Sequence, residues 1–558
     1  MAVLRASSAR DFSVQRRRLL DRARPWARRE PMLLVFMAGA LAARIAFWVI
    51  SNRAFEDGLT TITHARNVAL GLGLVHHPGE GNVYGFTSAL GVLIPLAGEL
   101  IREGSGLFAI RIASLAAVCV ALVYARLICR DLGLGTFPTA FVLAYLAFDQ
   151  NMIFYGMAGM ETQVAVAVIL GGVFHVRRHD LVASGICLGL APLARPEFVL
   201  WVAPALAYLA LRNAKRAAQA AAVAGAIVVP WVVFTFLYYG SPIPNTVIAK
   251  SAVNPIPPVF ADGSPLAWIQ WLAGHFVGQI ALLLYHLEPF REVWSTAAAP
   301  LPDPLLTVIA VIIADLVVIG LLVSRGIPGF WPVTAFLALF FAYRVYFLPV
   351  AFYYDWYLPP FLAVVMIVAA LGLQRVTAVE PKTSKAIATV LAVAFSIHMP
   401  FSFVVEAKVQ AIEDQVRTNV GKDLRATVQP GQSVVSESAG YVGFYGNVKL
   451  YDYPGLTSPT SVHALQKLPP AKRDLFDLIV ALQPDWIVLR PRELVSLRQR
   501  FPETASMYAV DRVFEMAAVP GSQPTDDAAA TTVSFAGLVE WNVDEKFIVL
   551  KRTPPRGG

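Results

Sequence analysis

Long apolar runs alternate along the chain with short polar interruptions. Many runs approach the roughly 20 residues that cross a hydrocarbon core of about 30 Å. Lysines and arginines gather beside particular runs and orient them, because such clusters stay on the cytoplasmic side. The first run, 31–50, follows "RRRLLDRARPWARRE" and predicts a retained span anchored inside. It is too long for a signal-peptide core. Residues Ser88 to Ile101 form a shorter run, read as an interfacial helix on the outer side. With that reading, runs at 107–128, 137–153, 161–176, 180–194, 197–211, 217–239, 303–323, 328–348, 356–373 and 384–403 put nearly every basic cluster inside. The prediction is a polytopic α-helical membrane protein of about 11 transmembrane helices, N-terminus cytoplasmic and C-terminus outside. A long outer loop falls at 240–302, and its stretch "WIQWLAGHFVGQIALLLY" (268–285) is a further candidate crossing.

From about residue 404 the period changes. Short β-rich runs, "SVVSE" (433–437), "DWIVLR" (485–490) and "KFIVL" (546–550), alternate with helical runs such as "KRDLFDLIVAL" (472–482). This predicts a C-terminal α/β extracytoplasmic domain over 404–558, after a basic N-terminus (1–30) and a membrane module (31–403) whose first outer loop is 51–106.

Composition agrees with this division. Hydrophobic residues make up 56% and charged residues 15%, against about 25% charged in soluble domains. Much of the net charge of +8 sits before the first span, where it suits anionic lipid, not nucleic acid. The three cysteines, Cys119, Cys129 and Cys187, lie in or beside apolar runs. The C-terminal region therefore has no disulfide framework, and a cysteine metal site is not expected.

The polar residues beside apolar runs collect on the predicted outer face. They occur in "EDGLTTITHARN" after the first run, "NMIFYGMAGMET" (151–162), "ARPEF" (194–198), "SPIPNTVIAKS" (241–251) and "YRVYFLPVAFYYDWYLPP" (343–360). Ionisable groups at membrane depth are costly and usually functional. Asp57, Thr60 or Thr61, and His64 share one helical face, continued by Asn67. Asp57 also stands where a helix cap would. His76 and His77 with Glu80 offer metal-ligand chemistry, but adjacent histidines point apart, and loop roles suit them better. Lys250, Arg195 and Arg344 are the cations for a phosphate; a snorkelling lysine and a local Arg195–Glu197 pair are the structural readings of the first two. Tyr353, Tyr354, Trp356 and Tyr357 surround Asp355 as an aromatic belt or a sugar platform.

The first loop, with its acid pair Glu56-Asp57, the run Ala65 to Gly73, "HPGE" and "GFTS", resembles that of GT-C type glycosyltransferases, especially mycobacterial terminal arabinofuranosyltransferases. "GMAGMET" (156–162), "RPE" (195–197), "PNTVIAK" (244–250), "SESAGYVGFYGNVKLYDYPGLTSP" (436–459) and "PDWIVL" (484–489) follow in the family's order, so the resemblance spans nearly the whole chain. Glu56 stands where the family has a first Asp, which leaves open which acid is the base. The resemblance implies a multi-pass bacterial plasma-membrane enzyme that moves a sugar, arabinofuranose foremost, from a polyprenyl phosphate to a cell-envelope glycan or other acceptor. Asp57 and Glu56 are then the catalytic candidates, Lys250, Arg195 and Arg344 the phosphate ligands. His64, Asn67, Glu161, Asn245, Tyr354, Asp355 and Tyr357 are the substrate-binding candidates. No nucleotide is required on the outer side, no cofactor is assigned, and a divalent cation is left open. The glycines of "GLGLVHHPGEG" lack the strand-before, helix-after setting of a nucleotide loop. A lipid-linked-sugar flippase or transporter is the alternative; it would place charges nearer the bilayer midplane.

Overall fold

The computed structural model describes residues 30–253, 265–287, 303–347, 355–516, 523–524, 531–534 and 540–553. The basic N-terminal arm and Tyr354 fall outside these residues. The helical part begins with α1 (Pro31–Ser51), α2 (Glu56–Ala69), α3 (Ala89–Ile101), α4 (Gly106–Asp131), α5 (Thr136–Phe148), α6 (Gln150–Met157) and α7 (Thr162–Arg178). It continues with α8 (Leu181–Ala194), α9 (Val199–Arg212), α10 (Ala214–Tyr239), α11 (Asn245–Val253) and α12 (Pro265–Leu287). It ends with α13 (Asp303–Ser324), α14 (Trp331–Phe347), α15 (Leu358–Val379) and α16 (Pro381–Gln415).

Among the described residues, Pro31–Ser51, Gly106–Asp131, Ala214–Tyr239, Pro265–Leu284 and Asp355–Val379 are long and apolar enough to cross a membrane. Four coincide with expected spans, and the remaining one is the candidate crossing at 268–285. Helix α13, 22 residues long, also matches an expected span; the rest are shorter helices or part of α16, so length alone does not carry a count of eleven. Helix α3, 13 residues long, extends only about 20 Å.

Two boundaries differ from the sequence reading. The run 137–153 breaks at Asp149, which leaves the helix (ψ 134°) and caps α6 by accepting the Met152 N–H. The carbonyls exposed at that break are taken by a buried arginine of α1: Arg44 donates to Ala147 O at 2.8 Å and Leu146 O at 3.1 Å, and to Gln163 Oε1 at 2.9 Å. Helix α16 runs unbroken through residue 404 for 35 residues, about 50 Å. The compositional boundary therefore falls inside a helix.

Helix α15 is the centre of the bundle. Every residue from Leu358 to Leu373 is buried, as an all-apolar helix surface requires. It meets α13 backbone to backbone: a Cβ on Gly320 would overlap Val368 O, and one on Gly372 would overlap Leu316 O. Small residues permit such close crossings where lipid gives no hydrophobic drive.

The C-terminal domain is a five-stranded sheet in the order β2-β1-β3-β8-β4. The strands are β1 (Ser433–Ser436), β2 (Lys449–Asp452), β3 (Trp486–Leu489), β4 (Tyr508–Glu515) and β8 (Lys546–Arg552). Strands β2, β1 and β3 run parallel, while β8 is antiparallel to β3 and β4. Strands β5 (Gln523–Pro524), β6 (Thr531–Ser534) and β7 (Glu540–Val543) form a separate antiparallel sheet. Alternate side chains serve two cores, as strand geometry dictates. Val434, Trp486, Val488, Phe547 and Val549 pack with α17 (Arg417–Thr427), α18 (Gly440–Gly446) and the end of α16. Val435, Ile487, Leu489, Ile548 and Leu550 pack with α20 (Leu475–Leu482) and α21 (Pro491–Arg500) on the other face. Helix α19 (Pro459–Gln466) and the short α22 (Pro502–Ser506) complete the domain. Val405, Val409 and Ile412 of α16 belong to the first of these cores, so the last bundle helix is built into the domain.

Candidate active site

At the end of the bundle where the C-terminal domain sits, a cavity opens to solvent. All five polar loops of the sequence reach it. Its wall includes Asp57 and Thr61, Glu161, Arg195, Thr246 and Lys250, and Trp356 and Tyr357; the domain adds Leu456.

Local rules place each group. Asp57 lies in the first turn of α2, and Thr60 and Thr61 follow on the same face. Helix α2 can approach because Gly58 packs on Gly159: a Cβ there would lie 2.9 Å from Gly159 O. Gly159 itself holds φ +107°, a conformation that L side chains rarely adopt. The glycines of "EDG" and "GMAG" thus meet each other. Arg195 is extended because Pro196 follows it, which ends α8 and turns the guanidinium to the cavity. Thr246 and Lys250 are four apart on α11 and share its face.

The charges form an organised set. Arg195 Nε lies 2.8 Å from Glu161 Oε1, Nη2 donates to Thr162 Oγ1 at 3.1 Å, and the guanidinium sits 5.4 Å from the Tyr357 ring centre. Lys250 Nζ lies 5.9 Å from the same ring. The tyrosine ring therefore lies close to both cations. Burial raises the Asp57 carboxyl above its usual range, opposed by Lys250 and Arg195. Burial lowers Lys250, opposed by Asp57 and Glu197. The result is two partly desolvated cations set against Asp57 and Glu161, with Glu161 paired to Arg195 and Asp57 left toward Lys250, which suits an anionic ligand and a proton acceptor together.

The other candidates stand elsewhere. Glu56 turns away from the cavity: Oε2 lies 2.9 Å from Arg417 Nη1, and Oε1 accepts the Gly440 N–H at 2.5 Å. Burial pushes it up to about 7 against the pull of Arg417. His64 is buried, its Nδ1 bonded to Thr60 O at 2.9 Å and its ring edge-on to Phe86. Burial lowers it to about 4, which describes a neutral core histidine. Asn67 donates to Val75 O and His76 O, pinning the following loop. Asn245 donates to Gly455 O at 2.7 Å and Leu456 O at 3.1 Å, joining α11 to the domain. Arg344 is buried and donates to Gln279 Oε1 at 2.8 Å, and Asp355 lies 3.8 Å from His286; neither is on the cavity wall.

His76, His77 and Glu80 do not converge. The His76 ring packs on His64, His77 accepts the Gly79 N–H, and Glu80 accepts the Thr460 hydroxyl. No group of three His, Cys, Asp or Glu side chains among the described residues could hold a metal ion. Sequence reasoning passed over Leu456, whose loop is shaped by Asp452: its carboxylate accepts the Leu456 N–H at 2.6 Å and the Thr457 N–H at 2.9 Å. It also passed over Arg417, which carries no local motif.

Residues 407–535 match a family described as a domain of unknown function (DUF8728). No curated protein matches the chain. Among solved structures, ArnT from Cupriavidus metallidurans bound to undecaprenyl phosphate is similar over 95% of this chain and 99% of that one, at 12% identity and a TM-score of 0.48. The same protein in the apo state gives 95% and 98% coverage, 14% identity and a TM-score of 0.42. Likeness at that level leaves the chemistry of this chain to its own residues.

Proposed function

We propose that the protein is a membrane glycosyltransferase that moves a sugar from a polyprenyl phosphate to an acceptor hydroxyl at the extracytoplasmic face. The observation that carries this reading is Asp57 on one cavity wall with Lys250 and Arg195 both close to the Tyr357 ring. A lipid-linked sugar phosphate offers an anion for the two cations and a sugar face for the tyrosine and Trp356. Asp57 takes the proton of the acceptor hydroxyl as its oxygen bonds to the anomeric carbon. The bond from that carbon to the phosphate oxygen breaks, and the lipid phosphate leaves with the electron pair. Its growing charge is stabilised by Lys250 and Arg195. One displacement inverts the anomeric centre. The family resemblance of the sequence points to arabinofuranose as donor sugar and a cell-envelope glycan as acceptor, with the N-terminus cytoplasmic.

The test is transfer by the purified full-length chain, in nanodiscs, from a panel of polyprenyl-phospho-sugars. Transfer from one of them, lowered about 10²- to 10⁴-fold in Asp57→Asn with undecaprenyl phosphate binding retained, is the expected result. Undiminished transfer in that variant removes Asp57 as base; no transfer from any donor overturns the reading.

A further inference from the structure

The segment just before the cavity is held by the C-terminal domain and its lead-in helix through a dense set of buried bonds. Arg53 Nε meets Glu406 Oε2 at 2.9 Å, and its Nη1 donates to Ala54 O at 2.8 Å and to the Tyr441 hydroxyl at 3.1 Å. The Tyr441 hydroxyl donates to Ala54 O at 2.8 Å, and Ala54 N donates to Gln410 Oε1 at 2.9 Å. Glu56 completes the set by receiving Arg417 and the Gly440 N–H. Arg417 is shared with Glu413, which pairs with it on the adjoining helix end. A Cβ on Gly440 would overlap Glu56 O, so the domain backbone lies directly against the first turn of α2.

A half-buried ion pair adds little net stability to a joint between two modules, since apolar packing of similar volume serves as well. What the pair adds is direction. A bidentate grip on a side chain adjoining the base fixes the rotation of that turn, and a misplacement of about 1 Å at a reacting group can cost 100-fold in rate.

We propose that Glu56 is a positioning residue: the clasp of Arg417 and Gly440 on Glu56 sets the aim of Asp57, so that transfer requires a docked C-terminal domain. This rests on the transferase reading above. It gives the domain a role in catalysis and takes Glu56 out of the acid-base step.

The experiment uses the full-length chain in nanodiscs with Arg417→Gln, Arg417→Lys and Gly440→Ala. Arg417→Gln lowers kcat by about 10- to 100-fold, while undecaprenyl phosphate binding changes by less than about threefold. Amide exchange quickens across 55–65 and is unchanged in α1 and in β1 and β3. Arg417→Lys keeps a charge on Glu56 and recovers part of kcat. Gly440→Ala repeats the kcat loss by steric displacement, without touching a charge. Unchanged kcat together with unchanged exchange across 55–65 overturns the proposal. So does a loss of kcat with equal loosening of the sheet, which would mean that the domain had unfolded. If the wild-type chain transfers from no donor, the transferase reading falls, and exchange across 55–65 still decides whether the clasp holds α2.

Discussion

Replacing Glu161 by Gln and Arg195 by Gln should move phosphate binding in opposite directions. The two side chains form an ion pair at 2.8 Å with only 7% and 3% of their surfaces exposed. Removing one partner of such a buried pair costs about 3–5 kcal/mol, because the other charge is left uncompensated. Both variants should therefore unfold more readily. Binding separates them. At a charge separation of about 4 Å and an effective dielectric of about 20, the pair attracts by about 4 kcal/mol before desolvation. A phosphate that reaches Arg195 must share the guanidinium with Glu161. Relief of one third of that attraction tightens the phosphate about tenfold, since about 1.4 kcal/mol is a factor of ten. Glu161→Gln should thus bind undecaprenyl phosphate about tenfold more tightly while being less stable. Arg195→Gln should be less stable and bind about tenfold or more weakly. Titration with the lipid phosphate and unfolding midpoints in the same detergent read both effects. Because the pair is buried, added salt should change the difference little. If Glu161→Gln binds no better than wild type, the carboxylate is not competing for the cation and the proposed phosphate site is wrong.

Three further outcomes follow from the geometry. Asp57→Asn should lower kcat about 10²- to 10⁴-fold and remove the acid limb of the pH–rate profile. That limb should lie above the ordinary carboxylate range, because burial raises Asp57 and the base form is lost as pH falls through the raised value. By linkage, a raised carboxylate favours the folded state only while protonated, so Asp57→Asn should raise the unfolding midpoint at neutral pH, with the gain vanishing in acid. Asn245→Ala deletes two bonds to the 455–456 carbonyls; at about 1 kcal/mol each, it should loosen the Leu456 loop and show faster amide exchange there. Arg44→Met strips the donors from Leu146 and Ala147; it should destabilise the fold by about 1–3 kcal/mol per orphaned carbonyl and leave binding of undecaprenyl phosphate unchanged.

Much of this architecture is legible in the sequence because it rests on local periods. The strands at 433–436, 486–489 and 546–552 follow from runs of β-branched and aromatic residues, and the five polar loops stand out against apolar flanks. Their convergence follows from orientation by basic clusters. Roles that depend on distant partners were not legible. Lys250 and Arg344 look alike as lone cations near helix ends, yet only Lys250 reaches the cavity, while Arg344 is turned to Gln279. His64 shares the Asp57 face by spacing, but the Phe86 ring and the Thr60 carbonyl claim it. The break at Asp149 is supported by Arg44, which lies about 100 residues earlier and leaves no local mark.

The acid pair shows how far adjacency misleads. Successive residues on a helix point about 100° apart, so Glu56 and Asp57 cannot both address one substrate atom from the same turn. One reaches the domain and the other reaches the cavity. Across the cavity, Asn245 holds Gly455 and Leu456, and Leu456 is part of the wall. The domain is therefore fastened on both sides of the cavity, through Glu56 beside Asp57 and through Asn245 beside the cation-bearing α11. A shift of the domain against the bundle would disturb these contacts on both sides of the cavity, beside Asp57 and beside the wall. A paired-acid motif in this setting marks a joint between two modules as much as a catalytic group, and the longer Glu56 side chain is the one that spans the joint.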